Sequence, residues 1–380
     1  LILSEKPQKK LKPTLQSTSI MLLPYDLLLN CIARVSRLYY PTLSLVSKSF
    51  RSLVASPELY KVRSLLGRTE SCLYVCVGCS SKFRWFTLCR KPDKTLTDDK
   101  KKSSGYVLAT ASIPPSSHAS FWSIVAVGSN IYSIDTSCGP VSVSILDCRS
   151  HTWRKSCSIF RVKRTSFSAS ALDGKIYVAG MCKDDDGSYK NSVEVFDTKT
   201  QTCDPVPIPF GEENGKMNYE TVCIDGKLHV VLLNRRVLAY DSKQGTWDEV
   251  LYRGLSHYMG SDSHCEIDNV LYSAANGAIR WYDTEGSRWR ELMGLVGLPD
   301  LPYGPDLPYG SRVRLADYGG KMAVFWETNF PHDPFAMTVW CAEIALERCQ
   351  HAQIWGTVEW FDCVLRSYHH RIVKVVAATL

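Results

Sequence analysis

Three closely spaced cysteines are the first residues whose spacing could support chemistry. Cys72, Cys76 and Cys79 follow the pattern Cys-x3-Cys-x2-Cys, a spacing that can hold an iron–sulfur cluster. Cys72 and Cys76, however, lie in an apolar β-run beside Val75 and Val77. Because uncharged thiols pack well in protein cores, we predict that these cysteines are structural.

Two other groups could bind a metal ion by residue type alone. The acidic stretch "DDDG" at 184–187 resembles part of a calcium loop, but an EF-hand needs Gly at its sixth position and Glu at its twelfth. Tyr189 and Val195 stand there instead. A second group lacks any further ligand at a recognised spacing: His257, His264 and Cys265. The sequence therefore predicts no metal, no cofactor and no catalytic residue, and the protein is not expected to be an enzyme.

The composition is that of a globular protein that binds neither nucleic acid nor membrane. The chain has 380 residues, of which 45% are hydrophobic and 22% charged, with a net charge of +7. Its densest basic stretch, residues 90–105, also contains Asp93, Asp98 and Asp99, which favours a solvated loop. No apolar run approaches the roughly 20 residues of a membrane span.

The cysteines point to a reducing compartment. Fifteen of them are spread along the chain, and several lie in apolar runs, such as Cys223, Cys341 and Cys363. This distribution favours reduced, buried thiols over a disulfide framework. We therefore expect the protein in the cytoplasm, the nucleus or both.

The elements behind these residues form a repeat. The phrase "ALDGKIYVAG" at 171–180 has a hairpin turn at Asp173-Gly174 followed by a β-run. Related corners occur at 127–134, 224–233, 267–275 and 316–326. Each of the first four is followed by a short apolar run, an aspartate and a later aromatic or cysteine: "VSILDCRSHTW", "VEVFDTKTQTC", "VLAYDSKQGTW" and "IRWYDTEGSRW".

The repeat predicts a mainly β fold, a β-propeller of four-stranded blades. We expect the aspartates to cap turns with their own side chains and Trp153, Trp247 and Trp289 to lie between neighbouring sheets. Strands near 72–78, 84–89 and 105–114 would share a sheet with the last strand, 371–380, and so close the ring. We count six blades, with seven as the alternative.

Residues 22–60 follow helical spacing instead. Leu27, Cys31 and Val35 recur every four residues, Pro24 and Pro41 suit helix starts, and a third helix lies near Phe50. Three short helices leave more apolar residues than one small core can bury, which implies a partner surface. We divide the chain into a disordered tail at 1–19, a helical segment at 20–62 and a propeller at 63–380.

These motifs resemble a known family. The unit length, the Asp-Gly corner and the strand-Asp-Trp ending resemble kelch repeats. A WD40 array is disfavoured because its Gly-His partner does not recur beside the lone Trp247-Asp248. Leu23-Pro24, Asp26 and "LSLVSKSFRSLV" resemble an F-box. With "YYPTLSLVSKSFRSLVASPELY" and "WFTLCRKPDK", nearly the whole chain resembles the plant F-box/kelch-repeat family.

The resemblance implies a substrate-recognition subunit of an SCF-type ubiquitin ligase. Its F-box would dock a Skp-family adaptor and, through it, a cullin, while the propeller would hold an unknown target protein. The alternative is a kelch scaffold or small-molecule binder that has lost ligase coupling. The residues that match the adaptor-binding motif are Leu23, Pro24, Leu27, Leu28, Leu43, Val46 and Phe50.

Strand order predicts where a target binds. In an up-and-down sheet the first and third connections lie on one rim, and the second and fourth on the other. The second rim receives the longer and more irregular connections, including a tandem "PDLPYG". We expect the target there, at 181–191, 208–218, 294–311 and 327–336.

Overall fold

The structure is a computed structural model with a helical segment followed by a ring of β-sheets. The helices are α1 (Tyr25–Ala33), α2 (Tyr40–Val46), α3 (Lys48–Val54) and α4 (Pro57–Leu65), with 3-10 turns at Ile20–Leu22 and Arg37–Tyr39. The model describes residues 20–79, 82–91, 105–114, 124–135, 142–159, 164–183, 189–209, 220–232, 236–252, 254–259, 263–302, 313–330, 333–349, 353–368 and 371–380. The expected tail at 1–19, the acidic stretch 184–187 and most of the basic stretch and of the tandem hexapeptide lie outside these residues.

The helical segment contains one helix more than the sequence interpretation expected. Helix α4 begins after Ser56, whose hydroxyl accepts a hydrogen bond from the Leu59 amide, and Pro57 occupies its first turn. Ser47 caps α3 in the same way through the Phe50 amide. Serine followed by proline is a helix-start signal, so α4 was recognisable from its own residues.

Among the residues that the structure describes, twenty-four strands follow the helices. The first three are β1 (Ser71–Cys79), β2 (Lys82–Arg90) and β3 (Tyr106–Thr110); the second blade is β4 (Ile124–Val127), β5 (Asn130–Asp135), β6 (Ser142–Asp147) and β7 (Thr152–Ile159). The third blade is β8 (Arg164–Leu172), β9 (Lys175–Lys183), β10 (Tyr189–Asp197) and β11 (Cys203–Val206). The fourth is β12 (Glu220–Ile224), β13 (Lys227–Val231), β14 (Val237–Asp241) and β15 (Thr246–Val250). The fifth blade is β16 (His264–Ile267), β17 (Val270–Ala275), β18 (Ala278–Asp283) and β19 (Arg288–Glu291). The sixth is β20 (Val313–Asp317), β21 (Met322–Phe330), β22 (Asp333–Cys349) and β23 (Gln353–Tyr368). The last strand is β24 (Arg371–Thr379).

Six four-stranded antiparallel sheets form the propeller, which confirms the count of six blades. The first sheet has the order β24-β1-β2-β3, so the last strand is the innermost strand of the first blade. Val75 of β1 faces Val375 of β24, and the pairing continues to Ser71 and Thr379. The predicted ring closure is therefore confirmed, because β24 covers the edge of β1 that would otherwise be open.

In the second to sixth blades the first connection is a short corner. Asp173 and Gly174 have φ values of 51° and 75°, and Asp225 and Gly226 have 51° and 70°. Two consecutive positive φ values define the hairpin turn that matches strand twist, and Asp and Gly tolerate them well. These corners and the Asp turns of the third connections share one rim, which we call the corner rim; the opposite rim is called the open rim.

The Asp turns and the tryptophans have the predicted roles. Asp197 Oδ1 accepts hydrogen bonds from the amides of Lys199 (2.9 Å) and Thr200 (3.2 Å), and Asp241 does the same with the amides two and three residues ahead. Each tryptophan donates its indole N–H to a carbonyl of the segment leaving the preceding blade. The acceptors are Pro114 for Trp153, Pro207 for Trp247, and Gly254 and Leu255 for Trp289.

The core of the ring lies between the blades. Apolar clusters join each blade to the next, and the cluster between the third and fourth blades includes Tyr177, Val193, Leu228 and Leu238, with Trp247 packed against it. Between the second and third blades Cys203 packs where other units place tryptophan. Among the residues that the structure describes, no helix is both long and apolar enough to cross a membrane.

Candidate adaptor surface and target-binding rim

The helical segment has a small core of its own. Leu28, Leu29, Ile32, Leu53 and Leu59 are buried together where α1, α3 and α4 meet. Residues on the other side of α1 and α2 cannot reach this core, because only part of a helix surface faces inward. The surplus predicted from the sequence therefore appears as exposed apolar side chains.

These side chains form the candidate adaptor surface, which we define as Leu23, Pro24, Leu27, Leu45 and Val46. Leu27 is 53% exposed and Leu23 is 39% exposed at the start of α1, and Leu45 and Val46 are 75% and 64% exposed at the end of α2. Pro24 is exposed as well. Single exposed leucines and valines are ordinary, but several of them within one short helical segment fit a protein-binding site.

The structure divides the seven predicted adaptor residues. Leu28 and Phe50 are buried in the helical core at 4% and 7% exposure, so little of either side chain is accessible at the surface. Leu43 is half-buried against the same core. Leu45 was missing from the predicted set, although its position in the apolar run "LSLV" was a signal for it.

The helical segment is docked on the corner rim, around the first blade. Leu38 packs into the cluster between the sixth and first blades, and Tyr60 belongs to the cluster between the first and second. The guanidinium of Arg37 lies 5.7 Å from the ring centre of Tyr40 and 5.2 Å from that of Tyr60. The open rim, at the other end of the strands, is left clear of this docking contact.

A buried polar group accompanies this docking. The Tyr74 hydroxyl donates to the Cys148 carbonyl (3.0 Å) and lies 3.1 Å from His151 Nε2. Burial and the nearby positive charge of Arg37 lower the pKa of His151 to about 4. The ring of His151 is therefore neutral at physiological pH, which suits a closed contact beside a cation.

The candidate target-binding ranges are only partly loops. Strand β9 extends to Lys183 and β10 begins at Tyr189, so most of 181–191 is strand. Most of 327–336 is strand as well, because β21 reaches Phe330 and β22 begins at Asp333. Residues 208–209 and 294–302 are described, and 210–218 and 303–311 lie outside the described residues.

One part of 294–311 has defined contacts. The Gly356 amide donates to the Met293 carbonyl (2.8 Å), which attaches this segment to the edge of β23. Gly294 has a φ of 86°, and a side chain there would meet the indole of Trp355. Met293 and Trp355 remain about half exposed on the side of the ring. The binding role of these ranges stays a prediction.

Two of the cysteines considered for chemistry occupy structural positions. Cys72 and Cys76 are buried in β1, and burial raises the pKa of the Cys76 thiol to about 12. A neutral thiol is a poor metal ligand and a poor nucleophile. Within the described ranges, no three His, Cys, Asp or Glu side chains are grouped to hold a metal ion.

Comparisons with known proteins identify the family. A family model for the F-box domain matches residues 20–62, and a model for the "FKB95, Kelch-repeats domain" matches residues 85–365. The F-box/kelch-repeat protein At5g51250 of Arabidopsis thaliana is 55% identical over 375 residues, covering 94% of this chain and 99% of the relative. The chain belongs to the F-box/kelch-repeat family.

Other relatives span this F-box/kelch-repeat chain equally well. The putative F-box/kelch-repeat protein At5g38680 of A. thaliana is 50% identical and covers 94% of each chain. The F-box/kelch-repeat protein At3g06570 of the same plant is 48% identical and covers 99% of this chain and 98% of its own. The helical segment is thus an F-box and the ring a kelch propeller, a pairing that supports an F-box substrate-adaptor role.

Proposed function

We propose that this protein is the substrate-recognition subunit of an SCF-type ubiquitin ligase in the cytoplasm or nucleus. The F-box binds a Skp-family adaptor, the adaptor joins it to a cullin, and the propeller binds the target protein. The protein itself needs no catalytic group. By holding the target, it raises the effective concentration of the target's lysines near the charged ubiquitin-conjugating enzyme.

The observation that carries this proposal is the exposed apolar surface at Leu23, Leu27, Leu45 and Val46. These side chains lie on an F-box that already buries its own core and already docks on the corner rim. An apolar surface that stays exposed after the F-box has formed its core and docked on the corner rim fits a partner protein. The F-box match makes a Skp-family adaptor the natural candidate.

Adaptor capture tests the proposal. We expect the purified protein to retain a Skp-family adaptor, and we expect Leu27→Asp with Val46→Asp to abolish retention, since each change places a charge in an apolar contact. Leu251→Asp is the matched control, because Leu251 is 82% exposed on the propeller. If the unmodified protein fails to bind any adaptor of this family, the chain is a kelch scaffold or binder without ligase coupling.

The target is proposed to bind the open rim. Proximity labelling with residues 20–65 deleted would preserve targets that are otherwise degraded and so identify them. Replacing 184–188 and 210–218 by Gly/Ser is then expected to abolish target capture. Lys199→Ser with Lys243→Ser, two exposed changes on the corner rim, should leave it intact. If target capture survives the loop replacement and fails with the two lysine changes, the target binds the corner rim and not the open rim.

A further inference from the structure

Glu70 joins the F-box to the point where the propeller ring closes. Its backbone exchanges two hydrogen bonds with Leu380, directly beyond β24: Glu70 N–H to Leu380 O at 2.7 Å and Leu380 N–H to Glu70 O at 2.9 Å. Its carboxylate turns to the F-box, where Oε2 accepts from the Ser36 hydroxyl (3.0 Å) and the Arg37 amide (2.9 Å). One residue thus belongs to both domains.

Arg63 of α4 supplies the positive partner of this carboxylate. Its side chain is fully buried, and Nη2 lies 3.1 Å from Glu70 Oε1. The same guanidinium donates to the carbonyls of Ala33 and Val35 after α1 and to the carbonyl of Arg68 in the link to β1. Arg63 therefore connects the end of α1, the end of α4 and Glu70 in one hydrogen-bonded group.

Apolar contacts with neighbouring blades accompany this junction. Leu38 packs on the sixth and first blades and Tyr60 on the first and second, so the F-box contacts three blades as well as Glu70. Contacts at several places oppose movement of the F-box on the rim. The chain from α4 to β1 is also short, since only residues 66–70 separate them.

We propose that Glu70 is a positioning residue that fixes the orientation of the F-box on the propeller at the ring seam. Its effect on ubiquitin transfer rests on the proposed ligase function, but the orientation itself does not. A rigid junction holds the open rim at one distance and angle from the adaptor, whereas a flexible link would spread target lysines over many positions.

Hydrogen exchange and solution scattering test the junction directly. In Glu70→Ala the Arg37 amide loses its acceptor and Arg63 its charge partner, so we expect amides at 36–40 and 68–71 to exchange at least about tenfold faster. The radius of gyration should rise as the F-box separates from the rim. Glu70→Gln keeps an oxygen acceptor and should give an intermediate result. Glu285→Ala, an exposed site on the corner rim, should match the unmodified protein.

A functional measurement separates positioning from mere stability. In a reconstituted adaptor, cullin and RING assembly, Glu70→Ala should retain adaptor binding but spread self-ubiquitination over more propeller lysines than the unmodified protein shows. Unchanged exchange and scattering in Glu70→Ala would overturn the proposal, as would an unchanged lysine pattern despite a loosened junction. Absence of adaptor binding by the unmodified protein would refute the ligase function alone, since exchange and scattering still report on the junction.

Discussion

At the scale of the residue, the same aspartate recurs with the same task. Asp147, Asp197, Asp241 and Asp283 each accept a backbone N–H two or three residues ahead and so close the third connection of a blade. Asp283 is the buried member of this set, and its carboxylate also forms an ion pair with Arg290 at 2.6 Å. Burial opposes its ionisation, but the Gly286 amide and Arg290 prevail and lower the pKa of Asp283.

This pKa shift gives a prediction about pH. Because the folded protein binds a proton at Asp283 less readily than the unfolded chain does, the stabilisation is present above the unfolded pKa of about 4 and is lost as the pH falls through the lower, folded pKa. We expect Asp283→Asn to lower the free energy of unfolding at pH 7 by about 1–3 kcal/mol. Urea titrations should show the difference from the unmodified protein shrinking below about pH 4. The exposed Asp204→Asn is the control, and an equal loss in both would exclude this role for Asp283.

At the scale of the element, the tryptophan after each Asp turn links one blade to the previous one. Trp247 shows this best: its ring packs on the cluster shared by the third and fourth blades, and its indole donates to the Pro207 carbonyl at 2.7 Å. A tryptophan side chain combines a large apolar area with a single polar donor, which suits a site between two sheets. A propeller blade is therefore stable only with its neighbours.

Two substitutions at Trp247 separate packing from hydrogen bonding. Trp247→Ala removes both and should lower the free energy of unfolding by about 3 kcal/mol, because the ring is only partly buried. Trp247→Phe keeps most of the packing and should cost about 1 kcal/mol, the typical contribution of a hydrogen bond. Denaturant unfolding measures both values. Equal losses for the two variants would show that the indole N–H, and not the ring, provides the stabilisation.

At the scale of the whole molecule, the ring closes by pairing its last strand with its first. The pairing of β24 with β1 joins the last strand of the propeller to the first, and Thr379 also donates its amide to the carbonyl of Gly128 in the second blade. Ile372, Val375 and Val376 of β24 are buried at this seam. The F-box lies over the same seam through Glu70, so ring closure and F-box docking reinforce each other.

Removal of the closing strand tests this arrangement. A chain that ends at residue 370 exposes the inner edge of β1, and we expect it to lose cooperative thermal unfolding and to associate in gel filtration. A synthetic peptide of residues 371–380 should restore the cooperative transition by pairing in trans. If the shortened chain unfolds as cooperatively as the full chain without peptide, the β24 pairing does not hold the ring closed.

Features that repeat and act locally could be predicted from the amino-acid sequence alone. The Asp-Gly corners need only two adjacent residues with positive φ, and the Asp turns need only a carboxylate near its own backbone, so related signals recur along the chain. Their period predicted the propeller and its closure. The apolar surplus near Leu27 and Val46 likewise followed from residue types, since three short helices cannot bury them all.

Which of those apolar residues face outward depends on how the helices pack. Leu28 and Leu27 are neighbours of the same type, yet one is buried and the other exposed, because α1 packs on α3 and α4 with one side only. The junction at Glu70 was equally invisible, since Ser36, Arg63 and Leu380 are brought to it by folding and not by any period. Contacts between distant residues follow from packing, and a linear pattern carries no record of them.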